Sequence, residues 1–304
     1  MILVYHGVAP DTADSLHERV ARMLPAGVLA RHLRWLSRRC NVIPLAEYVH
    51  RLETDGRVAR RTVALTFDDG LASTLECTAP LLEAFQVPAT FFVCTQGFDG
   101  GGHLWFSYLN ALCCSRHYSS VELPSGVLTL GSARQRRRAR LLLDALACAS
   151  RDPREFVQEL SARYPLGCGD ADLYRCSSAE IVSRAAQSDL IEIGGHSVTH
   201  PLLSRLPPSV QQREISRNAG QLAEAVGTVL RYFAYPGGDY NRDTVRLVAG
   251  AGYQCAAALA PSGCGGDWRF ELARVGVYSR SLSKVRLKVL GLADVARRLG
   301  LRVG

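Results

Sequence analysis

Short apolar runs alternate with amphipathic helical stretches along this chain, and that alternation most restricts what it can fold into. Ile2 to Tyr5, Val63 to Phe67, Ala89 to Cys94, Leu230 to Tyr235 and Tyr253 to Leu259 read as buried strands. Between them, Pro25 to Arg39, Ser73 to Phe85, Pro208 to Val226 and Arg242 to Ala251 carry helical periodicity. Strand, crossover helix, strand implies a parallel α/β sheet. If the sheet closes, it is a barrel with its chemistry at the C-terminal strand ends. At 304 residues the chain suits one barrel-sized domain over 1–304. Residues 96–180 break the rhythm with helical patterns between glycine clusters and read as a mainly helical insertion. Residues 281–304 form a basic amphipathic tail. Packing on the barrel is its expected role, with docking on an anionic membrane surface as the alternative.

Two segments at strand ends carry chemistry. Thr66-Phe67-Asp68-Asp69-Gly70 ends an alternating run, so two adjacent carboxylates fall just before a glycine turn. His196-Ser197-Val198-Thr199-His200-Pro201 places two imidazoles four residues apart, after the apolar run Leu190 to Ile193 and a Gly194-Gly195 break. An oxygen ligand and two nitrogen ligands, with a second carboxylate beside them, are the inventory of an open catalytic metal site. Pro201 disfavours helical backbone at His200, so the histidines are expected to meet across a turn. Adjacent side chains on an extended segment point apart, so Asp68 and Asp69 cannot share one role.

Composition removes several other classes. With 47% hydrophobic residues the chain can bury a sizeable core. No apolar stretch is long enough to span a membrane, and no leader pattern opens the chain, so a cytoplasmic location is expected. The net charge of +8 is nearly all arginine, since Lys284 and Lys288 are the only lysines. The densest run, Arg134 to Arg140, leads into Leu141-Leu142-Leu143 and reads as a solvated helix start, with an anionic partner as the alternative. It lacks the aromatic interleaving of a nucleic-acid binder. Ten cysteines, lying mostly in apolar segments and without a Cys-x-x-Cys pair, read as reduced structural thiols.

The two motifs, joined by Phe233-Ala234-Tyr235-Pro236-Gly237-Gly238, resemble the polysaccharide deacetylase family, carbohydrate esterase family four, over roughly residues 1 to 95 and 180 to 280. The resemblance implies a distorted (β/α)7-type barrel, one divalent metal and hydrolysis of an N-acetyl group on an amino sugar. By position, Asp68 would be the catalytic base, and Asp69, His196 and His200 would hold the metal. Zinc is expected, with Co2+, Ni2+ or Mn2+ as alternatives. The substrate is expected to be an N-acetylated amino sugar in a glycan, glycolipid, sugar nucleotide or glycosylated metabolite, with no nucleic-acid partner. A deformylase or other amidase, or an inactive sugar-binding protein, are the alternatives.

Three departures from the family pattern shape the remaining assignments. Where members often carry an arginine in the third motif, this chain has Ala234, and Arg274 is expected to substitute for it. The aromatic expected at Gly237 is missing, although its backbone N–H can still serve an oxyanion. No histidine follows His200, so the usual C-terminal general acid is absent. Tyr5-His6 resembles the N-terminal strand of the exopolysaccharide branch, where a permuted barrel supplies that acid, which assigns the role to His6, on the side of the carbonyl carbon opposite Asp68. His17, His32, His50, His103 and His117 are expected at the surface. Asp267-Trp268 reads as part of a glycine-rich loop.

Overall fold

Every side chain of the strand Thr62–Phe67 is buried because both of its faces are covered. Val63, Leu65 and Phe67 pack with Leu29, Leu33 and Leu82 of the surrounding helices. Ala64 packs the other way, with Ile2, Phe92, Ala234, Ala257 and Leu272. The computed structural model describes residues 1–100, 102–150, 152–167, 169 and 171–292. It extends this two-sided burial around a closed barrel. The strands Ile2–Tyr5, Thr62–Phe67, Ala89–Val93, Ile191–Gly195, Tyr232–Ala234, Cys255–Ala258 and Leu272–Gly276 are all parallel and follow chain order around the sheet. Ile2–Tyr5 pairs with both Thr62–Phe67 and Leu272–Gly276, which closes the expected distorted (β/α)7 barrel. Helix Leu45–Asp55 sends Leu45, Tyr48 and Val49 into the inner cluster, at the end where the strands begin. No helix among the described residues is long and apolar enough to cross a membrane.

Gly194 and Gly195 do not break their strand, as the sequence reading expected; they finish it. A Cβ on Gly195 would lie 2.1 Å from the Tyr253 hydroxyl, and one on Gly194 would lie 2.7 Å from the Phe92 ring. The glycines are there for close approach across the barrel, not for a turn.

The segment between Ala89–Val93 and Ile191–Gly195 builds helices Trp105–Cys114, Ala133–Ala149 and Pro153–Arg163 around a cluster of their own, which includes Leu109, Leu112, Leu143 and Leu160. Ala9, Val20 and Met23, which follow the first strand, join that cluster. The segment also carries an antiparallel hairpin, Ser120–Leu123 with Gly126–Thr129, that the helical reading did not include. Its strands are four residues each, too short to show a period of two. Of the tail, Leu282–Val289 is a helix with Val285 and Val289 buried on the main core, while residues 293–304 lie outside the described residues. No disulfide joins any two of the nine described cysteines.

Candidate active site

Strand register brings the first site residues together. Tyr5 is level with Phe67, so the residues that follow them, His6 and Asp68, leave the barrel side by side. Asp68 continues the inward phase of Ala64 and Thr66 and is only 4% exposed. Arg274 starts lower, level with Ile2, and reaches Asp68 through the barrel interior. Its guanidinium donates to both carboxylate oxygens, at 2.6 Å and 2.8 Å, and to Thr66 Oγ1 at 3.3 Å, while lying over the Phe92 ring. Ala64, Ala234 and Ala257 on the same inner surface leave room for it. Arg274 thus pairs with Asp68 from the middle of the strand Leu272–Gly276. Burial pushes the Asp68 carboxyl up, but the Arg274 charge and the nearby imidazoles outweigh it and hold it below 3.8.

His6 Nε2 lies 3.9 Å from Asp68 Oδ2, with the His6 side chain 32% exposed. The Tyr278 ring stands beside it at 5.4 Å. An acid was expected across the site from the base; the structure makes His6 and Asp68 neighbours, because their strands are paired.

Asp69 turns away from Asp68 by entering the left-handed region at φ 76°, which Asp tolerates better than most residues. Gly70 follows at φ 69°, and a Cβ there would meet the Val93 backbone at 2.9 Å. Asp69 Oδ1 then faces His196 Nε2 at 3.7 Å and His200 Nε2 at 3.5 Å. All three are buried, and their donor atoms lie within 4.8 Å of one another.

This cluster fits a cation. His196 Nδ1 is 2.7 Å from the Ala234 carbonyl, which can only accept, so Nδ1 carries a proton and Nε2 is the ring atom turned toward Asp69. Burial and the neighbouring His196 push the His200 imidazole down to about 4, so it is neutral at pH 7. Burial raises the Asp69 carboxyl, but the facing histidines outweigh it and bring it to about 2. One carboxylate oxygen and two imidazole nitrogens turned toward a common point are a zinc-type donor set.

Much of what holds these ligands was not visible in the motifs. Ser197 and His200 have φ of 65° and 56°, a strained loop that must be held by its surroundings. Asn218 accepts from the His196 N–H and donates to the Val93 and Ser197 carbonyls. Glu214 accepts from the Val198 and Thr199 N–H groups and from the Thr199 hydroxyl. Arg154, from the insertion, donates to Thr199 Oγ1 and Glu214. Trp105 Nε1 donates to the His200 carbonyl at 2.9 Å, and the edge-on Phe106 ring packs on the His200 imidazole. Asn218 and Glu214 are buried polar positions on the inner face of helix Pro208–Val226, a signal the sequence carried and the reading passed over. Arg154 and Trp105 carried none.

Gly237 sits in a left-handed turn at φ 61°, bordering Leu202. The Gly238 and Asp239 N–H groups close that turn on the Tyr235 and Pro236 carbonyls, which leaves the Gly237 N–H without a bond among the described residues.

The other histidines separate into two groups. His50 and His117 are exposed as expected. His17 and His32 are instead buried, His17 against the Tyr174 hydroxyl and His32 against the Arg280 carbonyl. His103 is partly buried on the Ala171 carbonyl. A lone histidine on an amphipathic helix gives no sign of which face it takes. Asp267 caps the short turn Trp268–Glu271, as a loop residue should.

Three solved structures share the fold along almost their whole length. A deacetylase, PplD, from Streptococcus pyogenes is 17% identical, with 95% of this chain and 96% of that one covered and a TM-score of 0.57. A de-N-acetylase from Aggregatibacter actinomycetemcomitans is 17% identical, covering 94% and 97%, with a TM-score of 0.58. IcaB from Ammonifex degensii is 18% identical, covering 95% and 96%, with a TM-score of 0.58. No curated protein matches the sequence. A family-level sequence profile described as polysaccharide deacetylase matches residues 55–110 and 155–256, just over half of the chain. The chain belongs to the polysaccharide deacetylase family.

Proposed function

We propose that this protein is a metal-dependent N-deacetylase of an amino sugar, working as the exopolysaccharide branch does with an N-terminal acid histidine. The observation that carries the reading is the convergence of Asp69, His196 and His200 beside a second carboxylate, Asp68, which Arg274 keeps ionised. Asp69 Oδ1 and the Nε2 atoms of the two histidines would hold one divalent cation, with zinc the best match to the donors. When bound, such a cation supplies a Lewis acid for the amide carbonyl and lowers the pKa of a water towards about 7.

The chain's own residues supply the rest. Asp68 accepts the attacking water's proton, and Arg274 fixes its plane and keeps it charged. Its low basicity suits a water that is already acidified. The Gly237 N–H is a donor for the oxyanion. His6 protonates the leaving amine; it is partly exposed, next to Asp68, and imidazole is the side chain suited to proton transfer near neutral pH. Tyr278 and Phe106 offer apolar surface for a sugar ring on either side. Cysteines buried in the apolar core as thiols, Cys94, Cys113 and Cys255 among them, support a cytoplasmic setting, and with it a soluble or carrier-linked sugar as substrate.

Acetate release should be measured on N-acetylated sugars, sugar nucleotides and lipid-linked sugars. Turnover abolished by a chelator, restored by zinc and lost in Asp68→Asn supports the reading. Formate release from N-formyl sugars alone would make the protein a deformylase. Turnover of insoluble chitin with none on soluble sugars would overturn the substrate.

A further inference from the structure

Helix Ala133–Ala149 is built with a surface that the fold does not use. Its inner side is occupied: Ala139, Leu143 and Ala147 join the insertion's core, and Arg136 donates inward to the Cys113, Ser115 and Tyr118 carbonyls. Outside, Gln135 aside, every exposed residue is Arg, Leu or Ala. Leu141, Leu142 and Leu146 remain 46%, 42% and 41% exposed. Arg134, Arg137 and Arg138 are exposed on the same side. At 3.6 residues per turn these six span about half of the helix circumference.

Two features separate this face from an ordinary solvated one. The arginines crowd the helix's N-terminal half, whose first turn has no acid. That end of the dipole is positive, so three cations there work against the helix. The helix's single acid, Asp144, is drawn to Arg140, leaving the exposed arginines without a carboxylate partner among the described residues. The leucines are equally unexplained by packing. The patch continues onto the hairpin, where Val127 is 61% exposed and lines a hollow with Arg138 and Leu142. Glu122, opposite Val127, is the acid at its edge.

We propose that this face is a docking surface for an anionic lipid bilayer, with the three leucines and Val127 entering the headgroup boundary and the three arginines meeting lipid phosphates. Cations beside exposed leucines, with almost no acid and no aromatic platform, match an interfacial helix better than a nucleic-acid groove. The helix belongs to the cap that supplies Trp105, Phe106 and Arg154 to the His200 loop. Docking would therefore hold the barrel mouth near membrane-borne sugars.

The test is sedimentation of the full chain with phosphatidylcholine vesicles, with and without phosphatidylglycerol. Binding should require the anionic lipid. Each basic residue near such a surface is worth about fivefold in partitioning, so Arg134, Arg137 and Arg138 changed together to Gln should weaken binding about a hundredfold. Leu141, Leu142 and Leu146 changed together to Ser should weaken it at least about tenfold. Both variants should keep wild-type Tm and wild-type acetate release from a soluble sugar, so loss of docking and failure of the catalytic reading are distinguishable. Equal binding by wild type and both variants would overturn the proposal. So would no binding to anionic vesicles, or binding to single-stranded oligonucleotide at the same level with the leucine variant unaffected.

Discussion

Replacing Arg274 by Ala should be the most costly single change in the barrel interior. The guanidinium is 1% exposed and makes a two-pronged pair with a carboxylate that is 4% exposed. Deleting it strands Asp68, with the partly exposed His6 imidazole 3.9 Å away as a remaining polar neighbour. Removing one partner of a buried pair costs about 3–5 kcal/mol, because the remaining charge keeps its desolvation cost without compensation. For a chain of this size that corresponds to about 5–8 °C in Tm. Asp68→Asn in the Arg274→Ala background should recover a large part of the loss, since the stranded charge is then gone. Because the Asp68 carboxyl sits below 3.8 in the folded state, the pair's contribution is complete above that value and is lost as pH falls through the lower folded one. The Tm gap between wild type and Arg274→Ala, measured by calorimetry after chelation, should thus be constant from about pH 5 to 8 and close in stronger acid. A gap under about 2 °C, or no recovery in the double variant, would refute the reasoning.

Three further outcomes are expected. His196→Ala and His200→Ala should each lose stoichiometric zinc, read by elemental analysis after dialysis, whereas Asp68→Asn should keep zinc and lose about 10²–10⁴-fold in kcat. His6→Ala should bind zinc normally, lose kcat and lose the alkaline limb of the pH–rate profile; an intact alkaline limb would remove His6 from the acid role. Trp105→Phe keeps an aromatic ring but removes the donor to the His200 carbonyl, and should weaken zinc binding about 10–100-fold in a chelator competition.

The alternating apolar runs determined the barrel. Covered parallel strands need apolar residues on both faces, and Val63, Leu65 and Phe67 on one face with Ala64 on the other supply them locally. The ligand and base candidates were legible for a similar reason: Asp68, Asp69, His196 and His200 occupy two short segments at strand ends, where spacing alone reports proximity. What only the tertiary structure decided is what crosses between segments. Arg274 meets Asp68 across 206 positions of chain, through a space left by alanines on three other strands. His6 lies beside Asp68, not opposite it, because the first and second barrel strands pair in one register. The glycines that looked like a turn end a strand because Tyr253 and Phe92 fill the space of their missing side chains. The loop that carries both histidines is held by Arg154 and Trp105 from an insertion with no readable motif. Periodicity records which face of an element is buried, but not which distant side chain fills the space opposite it.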